Sequence, residues 1–256
     1  MNATKETFSA ENLPLLYTKL ASWFHLLSAP EAYAEEAEFY RKTIMAVCET
    51  PPHTLLEIGS GGGCNASHLK AHFSMTLVDL AAGMLDISRQ PNPECEHIQG
   101  DMRSLRLGRQ FDVVFIHDAI GYLTTEAELA SAIETAYVHC RPGGIILLCP
   151  DHVRETFRPS TDHGGNNGYG RSLRYVEWYW DPDPSDTTYV GDFAYLLREG
   201  DSVRCVYDRH FMGLFARQTW LDLMNRVGFN ARSLPFEHSK IEPGSSEVFL
   251  GVKPAP

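Results

Sequence analysis

The sequence predicts an α/β fold: a parallel sheet covered by helices on both faces, with helices in front of it and an antiparallel insert behind its fifth strand. Three observations predict it. Between His53 and Pro150, short apolar runs alternate with helix-like stretches, the pattern of strand–helix–strand units. Those runs are nearly continuous in apolar residues, as in strands buried on both faces. The first of them, Thr54–Ile58, breaks into Gly59-Ser60-Gly61-Gly62-Gly63 before a helix, a turn that brings bare backbone close to a ligand.

Each element has its own signal. Leu16, Leu20, Trp23, Phe24 and Leu27 make a helical stripe over residues 13–27, and Ala34, Phe39, Ile44 and Val47 make another over 32–47. Pro51-Pro52 ends the helical region. Strands are then expected at 54–58, 76–79, 96–99, 112–117 and 144–149, with helices at 64–73, 83–89 and 126–138. After Pro150 the pattern changes. Residues 163–170, rich in Gly and Asn, read as a flexible loop. Residues 171–180, 187–198 and 202–214 have strand character, with turns at Asp181-Pro182-Asp183-Pro184 and Glu199-Gly200-Asp201. Alternation sets Val176, Trp178 and Trp180 on one face and Leu173, Tyr175 and Tyr179 on the other. The chain returns to α/β with a helix at 216–227, Gly228 as its C-cap, and strands at 230–234 and 248–252. The expected division is a helical cap (1–50), a ligand-binding core (51–151 and 215–256) and the insert (152–214).

Composition narrows the partners. The 256 residues carry a net charge of -11, which disfavours nucleic acid and anionic membrane surfaces. The most apolar run, Ile145–Cys149, is far too short to span a membrane, and residues 1–12 lack the apolar core of a signal peptide. Six scattered cysteines without a Cys-x-x-Cys pair read as reduced thiols in a cytoplasmic protein. Eleven histidines show no metal-ligand spacing, so no metal is expected. The partner expected is a small molecule, with a homodimer as a further possibility.

Two cofactor classes fit the glycine turn. Gly61-Gly62-Gly63-Cys64-Asn65-Ala66 satisfies the dinucleotide pattern G-x-G-x-x-G/A. Glu57-x-Gly59-x-Gly61-x-Gly63 satisfies a second pattern, an acidic residue followed by alternate glycines. Asp79 ends the second strand where a carboxylate can accept both ribose hydroxyls, and serves either class. Gly100-Asp101-Met102 follows the third strand, where the carboxylate can accept an adenine amino hydrogen.

Taken with Asp112-Val113-Val114 and Arg141-Pro142-Gly143-Gly144, this order of motifs resembles the class I S-adenosylmethionine-dependent methyltransferases over residues 54–149. The resemblance implies a Rossmann-like, doubly wound seven-stranded sheet with a final antiparallel strand. It implies S-adenosyl-L-methionine as cofactor and S-adenosyl-L-homocysteine as product. Glu57, Gly59, Ser60 and Gly61 would cradle the methionine part. Asp79 and Leu80 would hold the ribose, and Met84, Asp101 and Met102 would frame the adenine. Tyr17 and Tyr33 would close over the cofactor, with His117 lining its pocket. Tyr33-Ala34-Glu35-Glu36-Ala37, Gly100-Asp101-Met102-Arg103, Ile120-Gly121-Tyr122-Leu123 and Glu155-Thr156-Phe157 further resemble the aminosugar N,N-dimethyltransferases. The chain departs from that group after the fifth strand, where Asp151 and His152 replace aromatics, and near the last strand, where Ser246 or Glu247 stands for an arginine.

Methyl transfer to a small-molecule amine is therefore the expected reaction. The alternatives are a nicotinamide-dependent oxidoreductase and a cofactor-binding module without turnover. Catalytic candidates are His117 and Asp118, at the end of the fourth strand, and His152. Tyr122, Trp178, Trp180 and His210 are the substrate candidates, although aromatics on an antiparallel sheet also build its core. Cys64, inside the glycine motif, needs no role beyond being small enough to open a helix.

Overall fold

The computed structural model describes residues 13–48 and 50–255. The N-terminal segment contains 3-10 turns at Leu15–Tyr17, Ala21–Trp23 and Pro30–Tyr33, a single helical turn α1 (Phe24–Leu27) and the long helix α2 (Ala34–Val47). The continuous helix expected over 13–27 is thus broken up. Its apolar residues serve two surfaces: Leu16, Leu20 and Trp23 pack against the insert, while Ala21 packs on Ala81 and Met84. One straight stripe cannot face both.

The core follows in chain order: β1 (Thr54–Ile58), α3 (Cys64–Leu69), β2 (Ser74–Asp79), α4 (Ala82–Ser88), β3 (Glu96–Gln99), β4 (Phe111–Ile116), α5 (Glu126–His139) and β5 (Cys140–Leu148). After the insert come α6 (Arg217–Val227), β10 (Asn230–Pro235) and β11 (Glu247–Val252). The seven strands lie in the order β10-β11-β5-β4-β1-β2-β3. β1 through β5 are parallel, and β11 runs antiparallel to both β5 and β10. The chain leaves β1 toward β2 on one side and returns as β4 on the other, so a crevice opens at their C-terminal ends.

The period of two divides the strands between two cores. Leu56, Ile58, Val114, Ile116, Ile146 and Leu148 join the face covered by α5 and α6. Leu55, Leu77, Val113, Phe115, Ile145 and Leu147 join the face covered by α2 and α3. Each such aliphatic or aromatic side chain contributes roughly 1.5–3 kcal/mol by leaving water. α5 starts on Thr125, whose hydroxyl accepts from the Glu128 N–H, and α6 stops on Gly228 in the left-handed conformation.

The insert is a separate four-stranded antiparallel sheet, β6 (Ser160–Gly164), β7 (Arg171–Trp180), β8 (Thr188–Glu199) and β9 (Ser202–Gly213). No strand was expected here, and the last two residues of β6 fall in the expected loop at 163–170. Its partner is β7, with Ser160 opposite Tyr179 and Gly164 opposite Tyr175. The Gly/Asn stretch after it is pinned: the Asn166 N–H donates to Leu26 O at 2.8 Å. One face, with Leu173, Phe193, Tyr195 and Leu197, packs on the N-terminal segment. The other leaves Val176, Trp178, Leu196, Val203 and Tyr207 exposed. Among the described residues, no helix is long and apolar enough to cross a membrane.

Candidate active site

Two cavities meet at the C-terminal ends of β1 and β4, with Tyr33, His117 and Asp118 lining both. The first lies over the glycine turn. β1 delivers Glu57 to it, a carboxyl only 2% exposed whose pKa is pushed up to about 8 by burial, with the charges of Asp79 and Glu36 adding to the effect. Its Oε2 and the Ser60 hydroxyl are buried without hydrogen-bond partners. Unpaired buried acceptors are costly unless a ligand completes them. The turn itself is shaped by steric limits. Gly59 has φ +76°, and a Cβ there would lie 2.3 Å from the Ala119 Cβ; at Gly63 (φ +72°), a Cβ would meet Asn92 and Ser88 at 2.3 Å.

β2 delivers Asp79, which ties the turn by accepting from the Gly61 and Ala81 N–H groups, each at 2.8 Å. Burial raises its pKa, and these backbone bonds oppose the rise. Leu80 and Met102 line the same wall. Burial alone would also raise Asp101, but the guanidinium of Arg103 outweighs it and lowers its pKa. Arg103 approaches Asp101 at 2.7 Å and also binds Glu128 at 2.7 Å. Much of the Asp101 acceptor capacity is therefore already engaged.

Tyr17 and Phe24 of the N-terminal segment cover the first cavity. The Tyr17 hydroxyl meets the Tyr122 hydroxyl at 2.7 Å, and Tyr122 meets His210 Nδ1 at 2.7 Å. His210 Nε2 lies 3.2 Å from Asp208, which also accepts the Leu16 N–H at 3.0 Å.

The second cavity, about 510 Å³, falls within the roughly 300–1,000 Å³ usual for small-molecule sites. Asp118 and Asp151 face it and share a hydrogen bond. Burial raises Asp118 to about 7, with the Glu36 charge adding to it; burial and the charge of Asp118 raise Asp151 well above the usual carboxylate range. Asp118 still keeps 46% of its side-chain surface accessible. His117 Nε2 stands 3.1 Å from Asp118 and 3.5 Å from Glu36. His152 packs among Phe157, Tyr179 and Tyr189, and burial pushes its pKa down to about 4, which leaves a neutral imidazole.

The structure thus gathers Tyr17, Tyr33, Glu57, Gly59, Ser60, Gly61, Asp79, Leu80, Asp101, Met102, His117 and Tyr122 around the first cavity, and His117, Asp118 and His152 around the second. Four expected residues line neither. Met84 is buried beneath the wall against Ala21 and Ala81. Trp178 and Trp180 stack on each other on the outer face of the insert, because the opposite face is the one that packs on the N-terminal segment. His210 is buried behind Tyr122 and reaches the cavity through it. Sequence reasoning missed Glu36, Phe24, Asn65 and Ala119, and named Asp151 only as a departure. Glu36, inside a Glu-rich helix, reads as a solvated residue, yet it accepts from Asn65 Nδ2 at 2.8 Å beside His117.

Residues 55–144 match the family described as a methyltransferase domain. The chain is similar to dTDP-3-amino-3,4,6-trideoxy-alpha-D-glucopyranose N,N-dimethyltransferase of Streptomyces venezuelae, 29% identical over 78% of this chain and 82% of the relative. The solved structure of DesVI from Streptomyces venezuelae superposes with a TM-score of 0.79, at 25% identity, over 92% of this chain and 98% of that one. The chain is an S-adenosylmethionine-dependent methyltransferase. A further neighbour, CalS10 from Micromonospora echinaspora, was solved with SAM bound; it is 22% identical, with a TM-score of 0.72 over 86% of this chain and 91% of that one. These relatives are methyltransferases, and nothing in them supports the nicotinamide alternative.

The first cavity of the methyltransferase fits its cofactor. S-adenosylmethionine carries two cationic groups, and Glu57 offers an unpaired buried acceptor to a cation. Replacing Glu57 by glutamine is expected to weaken cofactor binding while stabilising the free protein. The sign follows from the raised pKa. The unfolded carboxyl ionises near 4.5 and the folded one near 8, so the folded form loses stability as pH rises between those values. Glutamine has no such loss. Urea midpoints of the two proteins should therefore diverge from pH 5 to pH 8; parallel curves would count against the buried, protonated Glu57.

Proposed function

We propose that this methyltransferase methylates an amine nitrogen of a small, positively charged amino sugar. The Asp118–Asp151 pair, at the seam of the two cavities, carries the reading. S-adenosylmethionine, when bound, supplies an electrophilic methyl group on a sulfonium. An amine reaches the site chiefly as its ammonium and cannot attack until it loses a proton. Asp118, raised to about 7, matches that task, whereas His152, near 4, is a much weaker base. Asp151, raised well above the usual carboxylate range by burial and the charge of Asp118, shares a hydrogen bond with Asp118. His117, 3.1 Å from Asp118, orients the carboxylate. Glu57, Ser60 and Asp79 hold the donor, and Tyr17, Tyr33 and Phe24 exclude water above it.

The second cavity supports a cationic acceptor. Glu36, Asp118, Asp151, Glu242 and Glu247 line it against one guanidinium, Arg158. Arg158 donates to the Phe157 carbonyl at 2.6 Å, and Arg217 neutralises Glu247 at 2.7 Å. A diphosphate would meet like charge here, while an ammonium is attracted. The hydroxyls of Thr156, Ser160, Ser245 and Ser246 suit a polyol. The relative from Streptomyces venezuelae is named for a dTDP-linked aminosugar, and this chain would act instead on a sugar without the nucleotide. The free cysteines suit a reducing cytoplasm.

Incubation with labelled S-adenosylmethionine and paired acceptors, free amino sugars and their nucleotide-diphosphate forms, tests the reading. Label should pass to the free amino sugars. Transfer confined to the nucleotide forms, or to oxygen acceptors, would overturn it. Independently, Asp79→Asn is expected to weaken cofactor binding by roughly 1–3 kcal/mol, the cost of altering a charged acceptor. Calorimetric titration giving unchanged affinity would remove Asp79 from the donor site.

A further inference from the structure

We propose that Glu36, held from the glycine-turn side by Asn65, is a positioning residue for Asp118 and sets how readily that carboxyl takes a proton. The inference deepens the proposed function and rests on its reading of Asp118 only where turnover is measured.

Three side chains converge on one oxygen atom. Glu36 Oε1 accepts from Asn65 Nδ2 at 2.8 Å, and His117 Nε2 stands 3.5 Å from that same oxygen. The same His117 nitrogen lies 3.1 Å from Asp118 Oδ1. Two carboxyl groups therefore flank one imidazole nitrogen. Asn65 is buried on the first turn of α3, directly after the glycine turn, and lines the first cavity, whereas Glu36 lines the second. The turn of one cavity thus fixes a carboxyl that belongs to the other. An amide holds Glu36 without neutralising it, and among the described residues no lysine or arginine pairs with it.

A like charge close to a carboxyl makes its ionisation harder. The charge of Glu36 raises Asp118, second only to burial, and the hydrogen bond shared with Asp151 opposes the rise. Other groups that feel Asp118 are the phenols of Tyr17, Tyr33, Tyr40 and Tyr189 and the thiols of Cys64 and Cys149. Burial raises all six, so they keep their protons near neutral pH. His117 is the remaining neighbour, and it stands against both carboxyls. Glu36 is thus the charge that makes Asp118 the stronger base.

Glu36→Gln removes that charge and keeps the shape. The amide oxygen can take the place of Oε1, so the contacts of Asn65 and His117 with that atom persist. Carbon-detected NMR of the carboxyl carbons in ligand-free protein follows the Asp118 titration. Its midpoint should fall by about 0.5–1 pH unit in E36Q, the effect of losing one nearby like charge. A midpoint unchanged or raised overturns the proposal. Glu36→Ala also removes the charge and must lower the midpoint too, even where E36Q does not fold. In turnover with labelled S-adenosylmethionine, the acid limb of kcat should move down with the midpoint. The plateau should fall about two- to tenfold, since a weaker base remains. A packing defect would instead lower kcat at every pH and leave the Asp118 midpoint where it was, which overturns the proposal. A lowered midpoint with an unmoved limb would uphold the role of Glu36 and remove Asp118 as the proton acceptor.

Discussion

Asp118→Asn is expected to reduce kcat by about 10²–10⁴-fold, the usual contribution of a positioned proton acceptor. An asparagine keeps the shape and the contact with His117 but cannot take a proton. The pH profile distinguishes this from a packing defect. Asp118 works unprotonated, so wild-type kcat should rise with pH through about 7 and level off above it. Below that point the carboxyl already holds a proton, and the rate should fall about tenfold per pH unit. The residual activity of D118N should lack this limb. The carboxyl pair titrates as a unit, so Asp151→Asn should shift the limb rather than remove it. A kcat reduced less than fivefold in D118N, or an unchanged profile, would exclude Asp118 as the acceptor. Because Asp118 lines the donor cavity as well, cofactor affinity has to be measured alongside.

Gly59→Ala is expected to remove cofactor binding and to cost about 2–5 kcal/mol of stability. A left-handed backbone costs a non-glycine residue roughly 1–2 kcal/mol, and an added methyl in a packed site about 1–3 more. Here φ is +76°, and the new methyl would stand 2.3 Å from the Ala119 Cβ. Two turns, one after β1 and one after β4, would have to separate, and both line the first cavity. Urea unfolding measures the loss. Ala119→Gly in the same chain should recover the steric part and leave the backbone part. A G59A protein as stable as the wild type would show that the turns give way freely.

The lining of the first cavity, the proposed donor site, was more legible than that of the second, for a physical reason. Parallel sheets bring successive strand ends to one edge, so Glu57, Asp79 and Asp101 meet although they are spread along the chain, and each sits beside its own glycine or strand end. Local pattern finds them. The second cavity is assembled from contacts that no local pattern encodes. Glu36 comes from the middle of α2, Asp118 follows β4, and Asp151 follows β5. The insert illustrates a second limit. Alternation correctly separates Trp178 from Tyr179, but both faces of β7 carry aromatics, so the pattern cannot tell which face turns inward. The N-terminal segment decides it, by packing on Leu173, Phe193 and Tyr195. That segment was itself misread as one helix, since its stripe belongs to two surfaces at once.

The bond from the Leu16 N–H to Asp208 joins residues 192 positions apart, and Ser239 reaches back to Glu35 across 204. On a ribosome Leu16 would therefore wait for Asp208, and Glu35 for Ser239. A nascent chain could complete β1 to β5 and their glycine turn while the cover over that turn still lacked its partner strand. Closing so long a loop adds little to the equilibrium cost, since each doubling costs only about 0.6 kcal/mol, but such distant pairings slow folding. The cover over the glycine turn would be the last part of the proposed donor pocket to mature.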